Sequence, residues 1–145
     1  MIQSLLLVDD EDLFHLVFED ACNILDITLS LEALNSTDEA DGKFKKWFET
    51  GPGKERPECV FVDLNMIGST FDGIELTRKI NHHYGNGVVI GIISSSVDKD
   101  EIQRAKAAGA QFWMLKSDEI EPRLIEFKED YPSYKNRTAP FKIYQ

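Results

Sequence analysis

The chain has 145 residues, 42% of them hydrophobic, and a formal net charge of -10. That length suits one domain with a true core, while the charge opposes binding to a phosphate backbone; the nearest basic cluster, Lys43, Lys45 and Lys46, sits within an acidic stretch. No apolar run approaches the roughly 20 residues needed to cross a bilayer, and MIQSLLLVDD lacks a signal-peptide pattern, so a cytoplasmic protein without nucleic-acid or membrane partners is expected.

Short apolar runs alternate with longer amphipathic segments. Ser4 to Val8 (SLLLV) is continuously apolar and stops at two acids, as a strand buried on both faces would. From Glu11 to Leu25, Phe14, Val17, Phe18, Ala21, Cys22, Ile24 and Leu25 recur at helical steps, with Asp10 placed as the cap. Ile27 to Ala33 alternates as a second strand. Ser36 begins a capping box closed by Glu39, and the helix it starts runs to about Thr50, burying Ala40, Phe44, Trp47 and Phe48. Gly51-Pro52-Gly53 ends that helix, and Lys54 to Pro57 is a loop.

Cys59 to Leu64 (CVFVDL) reads as the third strand, Ile74 to His82 as a helix closing near Tyr84-Gly85, and Val88 to Ile93 (VVIGII) as the fourth strand. Asp98 to Ala108 is a helix with Gly109 at its C-cap; Gln111 to Leu115 is the fifth strand, and Ile120 to Glu129 a short last helix. Residues 1–130 thus form one domain, and 131–145 a polar tail containing Tyr131, Tyr134, Phe141 and Tyr144. The tail either docks on a partner or second copy, or packs back on its own domain. Cys22 and Cys59 match no metal or redox spacing and read as buried thiols. His82 and His83 read as exposed helix-end imidazoles.

Five strands alternating with five helices imply a parallel sheet covered on both sides, with ligands beyond the carboxyl ends of the strands. The residues there are Asp9 and Asp10 after the first run, Asp63 after the third, Ser94, Ser95 and Ser96 after the fourth, and Lys116 after the fifth. Converging carboxylates raise one another's pKa unless a cation intervenes, and a hard divalent ion such as Mg2+ would resolve the conflict.

The succession LLLVDD, FVDLNM, VVIGIIS and AAGAQFWMLK resembles the receiver domain of two-component response regulators, over roughly Ile2 to Phe127. Some strings are similar to receivers that serve phytochrome-type kinases. The resemblance implies a flavodoxin-like, three-layer (βα)5 fold with strand order 2-1-3-4-5. It implies that Asp63 takes a phosphoryl group from a histidine kinase or phosphotransfer protein. Asp10 and Asp63 would ligate Mg2+ directly, with the Asn65 carbonyl as a third oxygen and Asp9 acting through water. Lys116 and Ser94 would contact the phosphoryl group, and Trp113 would be the aromatic switch.

With no output domain expected to follow, output would go through protein contacts with a downstream target, or the domain would pass its phosphoryl group onward in a relay; a homodimer is a further candidate. Two other readings stay open: a degenerate receiver that binds without phosphorylation, and a small phosphohydrolase of the haloacid-dehalogenase type, although Asn65 stands where such an enzyme has its second Asp. The chain departs from the receiver pattern at Ser117, where a cis proline usually follows the lysine, at Ile67 in place of Pro, and in a longer loop from Gly68 to Phe71.

Overall fold

The computed structural model describes residues 1–49, 56–84 and 87–145. The expected helix end at Thr50, the Gly51-Pro52-Gly53 stop, most of the loop after it, and Gly85 lie outside the described residues. The elements run β1 (Leu5–Val8), α1 (Asp12–Ile24), β2 (Leu31–Leu34), α2 (Thr37–Glu49), β3 (Cys59–Asp63) and α3 (Gly73–Tyr84). They continue as β4 (Val89–Ser94), α4 (Lys99–Ala107), β5 (Phe112–Leu115), α5 (Glu121–Lys135) and β6 (Lys142–Tyr144).

All neighbouring strands pair in parallel, in the order β2-β1-β3-β4-β5-β6. The order of the first five agrees with the sequence expectation; the sixth was not foreseen. The strands are buried on both faces because helices cover both. Alternate residues point to opposite sides: Leu6, Val8, Val60, Val62, Ile90, Ile92 and Trp113 join Ala40, Phe44 and Trp47 of α2, Ile74 and Ile80 of α3, and Ile102 of α4. Leu5, Leu7, Cys59, Phe61, Phe112 and Met114 join Phe14 and Phe18 of α1 and Leu124 and Phe127 of α5 on the other side. Phe112 packs 5.0 Å from Phe61 and 4.6 Å from Phe127 between ring centroids; each such pair is worth about 0.5–1.5 kcal/mol beyond its buried area. Both cysteines are free and buried, and burial pushes the Cys22 thiol up to about 12.

Several local expectations change. Glu11, not Asp10, is the N-cap of α1, and it caps without a side-chain hydrogen bond. Asp9 Oδ1 instead accepts from the Glu11 N–H at 2.8 Å. Half of the expected capping box forms, the Glu39 N–H donating to Ser36 Oγ at 3.1 Å. Ile24 and Phe48, expected in the core, are 74% and 52% exposed. The second strand begins later than Ile27, which is buried ahead of a single bridge between Ile2 and Thr28. At the end of α4, Gly109 takes φ +108°, a left-handed conformation that a side chain resists.

The last helix passes Glu129 and continues through Pro132 to Lys135. Burial of Tyr131 and Tyr134 against the sheet outweighs the N–H that proline lacks. Beyond it, β6 pairs with β5, and Tyr144 Oη donates to Asp130 Oδ2 at 2.7 Å while lying 2.9 Å from Tyr134 Oη. Lys142 fastens the same strand to Asp130 and Glu126, at 2.8 and 2.6 Å. Tyr131, Tyr134 and Tyr144 thus pack back on their own domain, and Phe141 is partly buried against the core on the other side of the sheet.

Candidate functional site

Because every strand runs the same way, the residues at their carboxyl ends share one edge. Asp9 follows Val8 directly, Asp63 and Ser94 end their strands, and Lys116 comes one residue after Leu115. The Lys116 N–H donates to the Ser94 carbonyl at 2.7 Å, which ties the ends of β4 and β5 together. Gly73 opens α3 immediately behind the site; a Cβ there would stand 2.1 Å from the Asp63 carbonyl oxygen, so only glycine allows α3 to begin so close to β3.

Asp9, Asp10 and Asp63 each offer a carboxylate oxygen, all within 4.8 Å of one another. Asp9 is fully buried, Asp63 is 7% exposed, and Asp10 lies at intermediate depth. The Ile67 N–H donates to Asp10 Oδ2 at 3.1 Å and holds that carboxylate toward the loop after β3. Lys116 Nζ enters from the opposite strand, 2.8 Å from Asp9 Oδ2, 2.9 Å from Glu11 Oε1 and 3.6 Å from Asp63 Oδ2.

Burial, then repulsion from Asp9, lifts the Asp63 carboxyl to about 7 despite the pull of Lys116. Burial also raises Asp9, against its contact with Lys116. For Lys116, burial works to lower the pKa, but the ion pairs with Asp9, Glu11 and Asp63 outweigh it and hold the ammonium above its usual range. A single ammonium thus faces several acids. Asp9 Oδ2 is buried with the Lys116 ammonium, 2.8 Å away, beside it. Hard oxygens and excess negative charge at Asp9, Asp10 and Asp63 together fit a hard divalent cation.

Ser94 is 5% exposed, and its Oγ accepts from the Ser96 N–H at 3.2 Å. Trp113 is fully buried, and its Nε1–H donates to the Ser96 carbonyl at 2.9 Å. The indole is therefore already inside and bonded to the β4–α4 loop. Asn65 is exposed two residues beyond Asp63. The Lys116–Ser117 peptide is trans, and Ser117 Oγ accepts from Arg123 Nη1 at 2.8 Å. The long loop after β3 is moored to α2: Thr37 Oγ1 donates to the Phe71 carbonyl at 2.6 Å, and the Thr70 N–H to Asp38 Oδ2 at 2.8 Å. His82 and His83 are exposed on α3, away from these groups. Glu11 is the residue of this cluster that the sequence did not single out; an acid directly after two acids at a strand end was the available signal.

This topology thus gathers acids, a hydroxyl and a lysine at one edge of the sheet. The response regulator receiver domain matches residues 5–124, and the chain belongs to that family. Among solved structures it is similar to the phosphorylated cyanobacterial phytochrome response regulator RcpA, at 17% identity and TM-score 0.71, over 96% of this chain and 97% of that one. It is similar to a two-component response regulator from Cytophaga hutchinsonii, at 21% identity and TM-score 0.71, over 89% and 98%. The Mn2+-bound form of response regulator Rcp1 is 18% identical with TM-score 0.65, over 94% and 96%. At these identities the likeness establishes the fold. No curated protein matches the chain in sequence. Among the described residues, no helix is long and apolar enough to cross a membrane.

Proposed function

We propose that Asp63 accepts a phosphoryl group from a phosphohistidine of a sensor kinase or histidine phosphotransfer protein, and that the phosphorylated chain alters its contacts with a downstream protein. The observation that carries this reading is the gathering of the Asp9, Asp10 and Asp63 carboxylates within 4.8 Å, with the Lys116 ammonium 3.6 Å from Asp63. Mg2+, held by Asp10, Asp63 and the Asn65 carbonyl with Asp9 acting through water, would neutralise the charge that these acids and the phosphoryl oxygens share.

The remaining work belongs to the chain. An ionised Asp63 oxygen attacks phosphorus; the phosphorus–nitrogen bond breaks, and the electron pair leaves on the imidazole nitrogen, which is then protonated. Lys116 pairs with a phosphoryl oxygen. Ser94 exchanges its bond with the Ser96 N–H for a hydrogen bond donated to the phosphoryl group. Because Ser96 also holds the Trp113 indole, that exchange moves the loop in front of α4 and disturbs a buried aromatic in β5.

Incubation with acetyl phosphate and Mg2+ followed by intact mass tests the reading. One added phosphoryl group that is absent in Asp63→Asn supports it. An unmodified wild type favours the phosphorylation-independent binding module, and steady release of inorganic phosphate from small esters favours a phosphohydrolase.

A further inference from the structure

Glu11 reaches across 105 positions of sequence to Lys116, and the reading above gives that contact no part. The ammonium has three N–H donors. Around it stand Asp9 Oδ2 at 2.8 Å, Glu11 Oε1 at 2.9 Å and Asp63 Oδ2 at 3.6 Å, with the Phe14 ring centroid at 4.7 Å. Lys116 Nζ donates to Glu11 and lies equally close to Asp9, while Asp63 is beyond hydrogen-bond reach. The side chains of Asp9 and Asp63 are 0% and 10% exposed, whereas that of Glu11 is 63% exposed. Of the three, Glu11 returns to water most readily without leaving a buried charge behind. Its backbone is fixed at the rim by the 2.8 Å bond to Asp9 Oδ1, so its side chain turns about a fixed base.

We infer that Glu11 is a positioning residue that holds Lys116 at rest and is displaced from it by the incoming phosphoryl group. This rests on the phosphoacceptor reading. A phosphoryl group on Asp63 brings anionic oxygens to the ammonium, and keeping Glu11 beside them would set like charges around one cation. Asp9 is too deeply buried to yield, so Glu11 leaves. The contact thereby opposes phosphorylation at rest and, once broken, changes the charge of the rim formed by Glu11, Leu13, Ser95 and Asp118.

The test compares wild type, Glu11→Gln and Asp118→Asn as full chains. Asp118 lines the same cavity, so its variant removes one charge from the rim without touching the ammonium. With acetyl phosphate and Mg2+, an Asp63 oxygen displaces acetate, which leaves with the phosphorus–oxygen bonding pair. Glu11→Gln is expected to react about two- to fivefold faster at low salt, the range of an exposed ion pair, with the advantage shrinking as salt is added. Asp118→Asn is expected to match wild type. Equal acceleration by both variants, or none by Glu11→Gln, overturns the inference. A second readout needs neither metal nor donor: the Lys116 Nζ resonance shifts in Glu11→Gln and stays in place in Asp118→Asn. An unmoved resonance in Glu11→Gln also overturns it. A wild type that takes up no phosphoryl group overturns both this inference and the phosphoacceptor reading; one that does, with Glu11→Gln no faster, overturns this inference alone.

Discussion

Replacing Asp63 with Asn should stabilise the metal-free protein at pH 8 and leave it nearly unchanged at pH 4. Burial and the neighbouring Asp9 raise the Asp63 carboxyl from its ordinary 3.8 to about 7 in the folded chain. Between those values the folded chain keeps a proton that the unfolded chain has lost, so stability falls as pH rises from about 4 to about 7 and then levels off. At about 1.36 kcal/mol per unit, the penalty at pH 8 is roughly 4 kcal/mol, already net of the attraction to Lys116. The neutral amide escapes it. For a chain of this length that corresponds to a Tm about 10 °C higher for the variant. Asp9 is raised for the same first reason, burial. Thermal and urea unfolding in EDTA at pH 4 and pH 8 measure the difference. An equal gain at both pH values, or a less stable variant at pH 8, would refute the claim that Asp63 is held ionised against its surroundings.

The same site and its supports have other consequences. At pH 8, Mg2+ at a hundred times its dissociation constant should stabilise wild type by about 2.7 kcal/mol, and Asp63→Asn far less; a wild-type Tm indifferent to Mg2+ would contradict the cation site. Gly73→Ala, whose Cβ would meet the Asp63 carbonyl oxygen at 2.1 Å, should lose about 1–3 kcal/mol in urea unfolding, and a neutral result would mean that α3 is not seated so tightly. Tyr144→Ala removes a 1% exposed ring and its links to Tyr134 and Asp130, and should lower stability by about 3–5 kcal/mol; an unchanged denaturation midpoint would show that β6 is not docked. In a Trp47→Phe background, beryllofluoride with Mg2+ should change the emission of Trp113, and constant emission would uncouple the indole from the Ser94 loop.

What the sequence revealed, and what it hid, divides along physical lines. Continuous apolar runs such as SLLLV and VVIGII read as strands buried on both faces, and the first polar residue after each lands at the common edge of a parallel sheet. Asp9, Asp63, Ser94 and Lys116 were therefore legible before any coordinates. The sixth strand was not, because Lys-Ile-Tyr is too short to carry a period. The last helix was expected to end near Glu129, yet Tyr131 and Tyr134, on either side of Pro132, find a buried aromatic cluster, and packing overrode local preference. Phe48 fits the helical period and still faces outward, beside His83 at 5.2 Å between ring centroids. Glu11 was passed over because it lies one residue beyond the two acids that end the first apolar run, and its pairing with Lys116, 105 residues away, comes from the tertiary fold.

The most direct test of the central claim is to identify the residue that carries the phosphoryl group. Treatment with a phosphohistidine donor and Mg2+, followed by borohydride reduction and peptide mass analysis, converts an aspartyl phosphate into homoserine at its own position. The account predicts homoserine at position 63 and nowhere else. A stable phosphoester on Ser94, or a reduced acid at position 9 or 10 with Asp63 intact, would contradict it.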